Sequence, residues 1–170
     1  MAFTLSSTRI TDQQTLPLEF VHHAMGAGGQ NVSPDLAWSG APEGTQSFAL
    51  TMYDPDAPTG SGWWHWVVYD IPANATGLAL GAGAAGGAGL PPGAKLGRTD
   101  FGSHEYGGAA PPPGHGPHRY IFTLYALNTP ALDVPAEQQL YARLRALTEQ
   151  AGGALVSIAH RPSVAAFHRR

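Results

Sequence analysis

Residues 54–66 read DPDAPTGSGWWHW. Two acids bracket a proline, a second proline follows, and a short Gly/Ser loop leads into three tryptophans around one histidine. Strand building alone does not ask for two carboxylates at the end of one run and a histidine at the start of the next. The flanking sequence explains the juxtaposition. QSFALTMY (46–53) alternates Phe48, Leu50 and Met52 with Ala49, Thr51 and Tyr53, and WWHWVVYDI (63–71) is bulky and β-branched, as buried strands are. A short loop between two such runs predicts an antiparallel hairpin. The hairpin gathers Asp54, Asp56 and His65 at one sheet edge. HRYIFTLYAL (118–127) is the third strong strand. His118 and Tyr120 are two residues apart on it and so point to one face. Laid beside the hairpin, that strand makes two histidines, two acids and a phenol converge. GGAAPPPGHGP (107–117) then forms a proline-stiffened rim just before His118.

The rest of the chain reads as one 170-residue domain with enough length for a core. Glycine and proline number 22 and 15, nearly double their usual share, which favours turns and strands over helices. PLEFVH (17–22) and GALVSIAH (153–160) are weaker strand candidates. One helix is expected: Asp133 caps it, Pro135 fits its first turn, Leu140, Leu144, Leu147 and Ala151 share a face, and Gly152 ends it. The segment GLALGAGAAGGAGLPPGAKLG (77–97) reads as a long, flexible surface loop within the single domain. It lacks the strand–helix frame of a phosphate-cradling loop. The expected class is mainly β: an antiparallel β-sandwich with one or two peripheral helices.

Composition narrows the chemistry. Charged residues are 12%, net charge is −3, and no basic stripe appears, which argues against nucleic acid. Cysteine is absent, so thiol chemistry and zinc–thiolate sites are excluded. The start, MAFTLSSTRI, is not that of a signal peptide, and no apolar run approaches the roughly 20 residues of a membrane span. A cytoplasmic protein without membrane insertion is expected. In the cluster, two imidazoles and a phenol read as hydrogen-bond donors to an anion. The acids suit a place one step back, where a carboxylate on the far imidazole nitrogen fixes the tautomer and favours the charged ring. An anion held this way draws protons onto both rings. Tryptophans 63, 64 and 66 divide between pocket wall and core.

These residues resemble the phosphatidylethanolamine-binding proteins, also called Raf kinase inhibitor-like proteins, and their bacterial branch in particular. The matching pieces are SPDLAW (33–38), YDPDAPTGSGWWHWVV (53–68), RTDFG (98–102), YGGAAPPPG (106–114) and HRYIFTLYAL (118–127), in order across most of the chain. The resemblance implies a β-sandwich with a small anion pocket at one end. It implies ligand-binding roles for Asp54, Asp56, Pro58, His65, Gly108, Pro111, Pro112, His118 and Tyr120. Family pockets hold phosphate, acetate, cacodylate or phosphoethanolamine-like groups. Ala109 and Ala110 stand where animal members carry a serine and a second glycine, and kinase inhibition is not carried over by name. The implied function is binding of a small anionic or phosphorylated ligand in a regulatory or scaffold role, with no cofactor and no catalysis. A protein partner and a homodimer, which bacterial relatives make plausible, remain open.

Plainer readings compete. Asp54–Pro58 on pattern alone is a strand-ending turn. His65 alone is a core histidine bonded to backbone. The five ordered segments, and the pairing of His65 with His118 and Tyr120, favour the pocket. His22, His23, His104, His115 and His160 read as ordinary surface residues, with His115 the nearest to the rim. Arg98, Thr99 and Asp100 read as anchors of a lid loop. Two other classes stay open: an inhibitor of a partner kinase or protease, and a hydrolase-like or metal-binding enzyme built on the Asp/His/Tyr cluster. No Gly-x-Ser-x-Gly or His-Glu-x-x-His motif supports the enzyme.

Overall fold

A computed structural model describes residues 2–24, 26–132, 142 and 155–160. The described secondary structure comprises a 3-10 turn at Leu18–Phe20, the helical residue Ala142 and eight strands. They are β1 (Thr4–Ser6), β2 (Leu36–Ser39), β3 (Ser47–Asp54), β4 (Trp63–Pro72), β5 (Gly77–Leu78), β6 (Lys95–Leu96), β7 (Tyr120–Leu127) and β8 (Leu155–His160). Two antiparallel sheets form, ordered β1-β2-β5 and β6-β4-β3-β7-β8. The class is mainly β with antiparallel sheets, as the sequence predicts. Apart from Ala142, which is helical, the helix expected from Asp133 to Gly152 lies outside the described residues.

The alternation in β3 explains the layering. Phe48, Leu50 and Met52 join Trp66, Val68, Phe122 and Leu124 in the main core. The ring of Phe48 meets Trp38 of the smaller sheet at 5.4 Å and Phe3 at 6.2 Å, which ties the two sheets together. On the opposite face Ala49, Val67, Leu127 and Leu132 form a second, smaller apolar cluster. β3 is buried along both faces, and Ser47 and Thr51 are buried beside Ala49 on this second face.

Two irregularities in β4 position the site. Met52 pairs with Trp66 and Tyr53 with Trp64, so His65 is the extra residue of a β-bulge. The bulge lets His65 and Trp66, neighbours in sequence, both turn inward, where an unbroken pleat would send one of them out. The second bulge sets Tyr69 and Asp70 opposite Ala49. Asp70 takes φ 54°, a left-handed conformation that aspartate tolerates better than most residues. Its carboxylate accepts from the Leu132 amide at 2.8 Å and from Lys95 at 2.9 Å.

Two segments differ from their sequence reading. PLEFVH is no regular strand: Pro17 leads into the 3-10 turn and Val21 makes one isolated parallel bridge to Ala109. Phe20 and Val21 are adjacent and both fully buried, which a turn permits and an alternating strand does not. The 77–97 segment, read as a flexible surface excursion, is tied down in its middle. Gly81 N–H donates to the Ser33 carbonyl at 2.9 Å and Gly83 N–H to the Ser33 hydroxyl at 2.8 Å. Gly83 lies so close to the Trp66 indole that an added Cβ would stand 2.8 Å from Nε1.

A buried carboxylate–imidazole pocket

The β3–β4 hairpin delivers Asp54 and His65 to one end of the larger sheet, and the segment leading into β7 delivers His118. There they close a cavity of about 230 Å³ with mostly apolar walls. Asp54, Ala57, Pro58, Thr59, Trp63, His65, Phe101, Ala110, Pro112 and His118 line it. Five of the nine residues named from the sequence therefore line the cavity: Asp54, Pro58, His65, Pro112 and His118. Tyr120 lies behind the wall, fully buried, with its ring edge-on to His65 at 5.2 Å. Gly108 and Pro111 shape the rim from within the protein.

Asp54 has the role expected of a carboxylate one step back. Its Oδ2 lies 2.6 Å from Nδ1 of His118, and Oδ1 accepts the Asp56 amide at 2.8 Å. Both side chains are nearly inaccessible, so the pair stands in a low dielectric. Burial pushes the Asp54 carboxyl up, and the hydrogen bond from His118 opposes that rise. Nε2 of His118 is bonded to Nδ1 of His115, an exposed residue of the proline-rich rim. A chain of three side chains thus runs from buried carboxylate to solvent. His115 is no ordinary surface histidine. Its place three residues before His118 was the only available sequence signal.

Asp56 is the clear correction. It does not face the cavity. It accepts the Arg119 guanidinium at 2.9–3.3 Å and the Arg119 backbone amide at 2.7 Å. The Arg119 side chain holds the Asp56 carboxyl below the usual carboxylate range. Asp56 locks the box to the start of β7, and its charge is spent there.

His65 also differs from its expected role as a donor to an anion. Its Nδ1 lies 2.8 Å from the Gly107 carbonyl and 3.1 Å from the Gly108 carbonyl. Both partners only accept, so Nδ1 carries the hydrogen and clamps the rim to β4. Gly107 N–H returns a bond to the His65 carbonyl at 2.9 Å. Burial pushes the ring down to about 4, so it is neutral near pH 7. The ring N–H is directed at the protein.

The rim rests on residues that sequence reasoning missed. Asn31, at φ 55°, accepts the Gly108 amide at 2.7 Å and donates to the Tyr106 carbonyl at 3.2 Å. The Tyr106 hydroxyl donates to the Phe20 carbonyl at 2.7 Å. Phe101 packs against Trp63, His65 and His22 at 5.5, 5.3 and 5.1 Å. Gly107 makes room for it, since a Cβ there would stand 2.3 Å from the ring. The lid loop is anchored as predicted: Asp100 accepts the Trp64 amide at 2.7 Å, and the Thr99 hydroxyl donates to the Ser103 carbonyl at 3.2 Å.

Comparison with known proteins agrees with this geometry. The sequence model of the family described as phosphatidylethanolamine-binding protein matches residues 6–159. The chain is 52% identical to YbcL of Escherichia coli (strain K12) over 133 residues, covering 78% of this chain and 73% of that protein. It is 52% identical to YbhB of the same organism over 130 residues, covering 76% and 81%. The crystal structure of E. coli YbcL, described as a member of the mammalian PEBP family, superposes with a TM-score of 0.87 at 43% identity, covering 95% of this chain and 98% of that one. A homologue from Chlamydia trachomatis superposes with a TM-score of 0.72 at 27% identity, covering 94% and 96%. With the family match spanning both sheets and every residue that lines the cavity, the chain belongs to the phosphatidylethanolamine-binding protein family.

Proposed function

We propose that the cavity binds a small phosphoryl-type anion, free or carried on a larger molecule, and that the protein acts through this binding in a regulatory or scaffold role. One observation carries the reading: an apolar cavity of about 230 Å³ is lined at once by Asp54, His65 and His118. Apolar walls with a few convergent polar groups are the usual form of a ligand site. The size suits a headgroup and not a whole lipid.

Calorimetry with inorganic phosphate, phosphoethanolamine and ethanolamine tests the proposal. The two phosphoryl ligands are expected to bind and ethanolamine to fail. Tightest binding by ethanolamine would mean that the acids face the ligand, and would end the anion reading.

Tyr120→Phe probes the same site from below. The Tyr120 hydroxyl is buried and makes no hydrogen bond among the described residues, although the Ala110 backbone is close enough to stabilise its phenolate slightly. Removing an unpaired buried hydroxyl costs the fold little. The variant is expected to melt within about 0.5 kcal/mol of the parent. Phosphate affinity is expected to fall roughly tenfold, the worth of one hydrogen bond to a charged group. Unchanged affinity would remove Tyr120 from the site.

A further inference from the structure

Two cavities share His118. Its ring lines the inner one and also an outer groove of about 440 Å³ bounded by Asp56, His115, Pro117 and Arg119. Gly114 and Gly116, at φ 78° and 84°, turn the chain on either side of His115, whose amide donates to the Pro112 carbonyl at 3.1 Å. The side chain placed by this turn is exposed, lines the groove and meets Nε2 of His118 through its Nδ1.

The hydrogens along this chain of groups follow from their partners. Asp54 accepts the Asp56 amide on Oδ1, and its Oδ2 lies 2.6 Å from Nδ1 of His118. A carboxylate only accepts, so the His118 hydrogen sits on Nδ1 and the lone pair on Nε2. His115 then donates from Nδ1, which leaves the lone pair of its neutral ring on Nε2. That atom makes no hydrogen bond among the described residues. An adjacent base, oriented by a third group, is the arrangement that activates a nucleophile. Here the base is His118, the orienting group is Asp54, and the activated atom is Nε2 of an exposed imidazole.

We propose that His115 is a catalytic nucleophile toward activated carboxylic esters held in the outer groove, with His118 and Asp54 as positioning residues that act through it. Nε2 attacks the ester carbonyl carbon, the bond to the leaving oxygen breaks, and the alcohol departs as its anion. The Nδ1 proton of His115 passes to Nε2 of His118, beside the Asp54 carboxylate. Water then gives its hydroxyl to the acyl carbon and a proton to solvent, the N–C bond breaks, and the proton on His118 returns to Nδ1. Arg119 lines the groove with its Nη1 unpartnered among the described residues, and its charge suits an anionic transition state. This activity is independent of what the inner cavity binds.

4-Nitrophenyl acetate is the probe, used on the unmodified protein at neutral pH. Release of 4-nitrophenoxide gives the rate, and mass spectrometry of acid-quenched peptides gives the position of the acetyl group. His115 is expected to be acetylated at least tenfold faster than His23 and His104, which are exposed but outside the relay. Equal labelling of the three would overturn the proposal. His115→Gln changes an exposed side chain. It is expected to melt like the parent and to lose most of the 4-nitrophenoxide release, and release at the parent's rate would overturn the proposal. Asp54→Asn is expected to bring acetylation of His115 down to the rate at His23 while leaving His23 unchanged. A folded variant that keeps the parent's rate at His115 would overturn the relay. The ¹⁵N spectrum of labelled histidine fixes the tautomer without any substitution. Hydrogen on Nδ1 of neutral His115 is expected, and hydrogen on Nε2 would leave no nucleophile and would overturn the proposal.

Discussion

Replacing Gly108 by alanine is expected to destabilise the protein by about 3 kcal/mol, the upper end for inserting a methyl group into packed structure. In thermal unfolding that is a loss of roughly 10 °C for a chain of this size. The cause is local and specific. A Cβ at 108 would lie 2.4 Å from the Phe20 carbonyl oxygen, 2.6 Å from the His22 nitrogen and 2.6 Å from the Val21 carbonyl carbon. All three are main-chain atoms, so no side-chain rotation relieves the clash. The same backbone is already engaged: the Phe20 carbonyl accepts from Tyr106, the Val21 carbonyl from Asn31 and the His22 amide donates to Ala109. Pushing residues 20–22 away breaks these bonds, and pulling 108 away takes its carbonyl from His65. Gly107→Ala is the comparison. Its nearest contact is the far edge of the Phe101 ring at 2.3 Å, and a ring can swing. That variant is expected to lose less stability but to close the cavity, because Phe101 moves into the space it lines. A Gly108→Ala melting curve that overlays the parent's would show that the rim does not pack on residues 20–22.

Acid unfolding should bear the mark of His65. The unfolded ring titrates near about 6.5 and the folded ring at about 4. Above about pH 6.5 both states are neutral and the residue contributes no pH dependence. As pH falls from there towards 4, the unfolded chain takes up a proton that the folded chain refuses. Stability is then lost at up to about 1.4 kcal/mol per pH unit, or roughly 3 kcal/mol over the window. Asp54 acts in the opposite sense. Its carboxyl is raised by burial, so the folded state binds that proton more readily than the unfolded chain does, and stability from this group rises as pH falls. Urea titrations at pH 7.0, 6.0 and 5.0 on the parent and on His65→Phe separate the two effects, since Asp54 is common to both proteins. His65→Phe is expected to be less stable at pH 7, having lost the clamp on Gly107 and Gly108, and to show a much flatter slope between pH 7 and 5. An equal slope in the parent and the variant would mean that His65 takes its proton without unfolding.

What was readable in the chain follows from how local each signal is. The runs at 46–53, 63–71 and 118–127 alternate or cluster within themselves, and a two-residue period is a property of neighbouring residues. They fall on β3, β4 and β7 within two residues at each end. The hairpin followed from the shortness of its loop, and with it the meeting of Asp54 and His65 at one edge. The family motifs, spread over the same stretches, named the cavity wall at Asp54, Pro58, His65, Pro112 and His118.

The partners of Asp56, His65 and His118's Nδ1 were not readable, because those hydrogen bonds join residues far apart in sequence. Asp56 and Asp54 look alike in the box. Only register with the start of β7 gives one to Arg119, 63 positions away, and the other to His118, 64 positions away. His65 looked like a ligand donor until the 107–108 segment, brought in by Asn31 and Tyr106, took its N–H. A bulge at His65 breaks the period-two rule on which face assignment rests, and no residue in WWHW announces it. From its sequence alone this chain determined the strands β3, β4, β7 and β8 and which chemical groups would share one end of the larger sheet. Tertiary structure alone decided which of those groups give hydrogen bonds, which accept them and which are already spent, since that depends on partners delivered by register and rim packing across the whole fold.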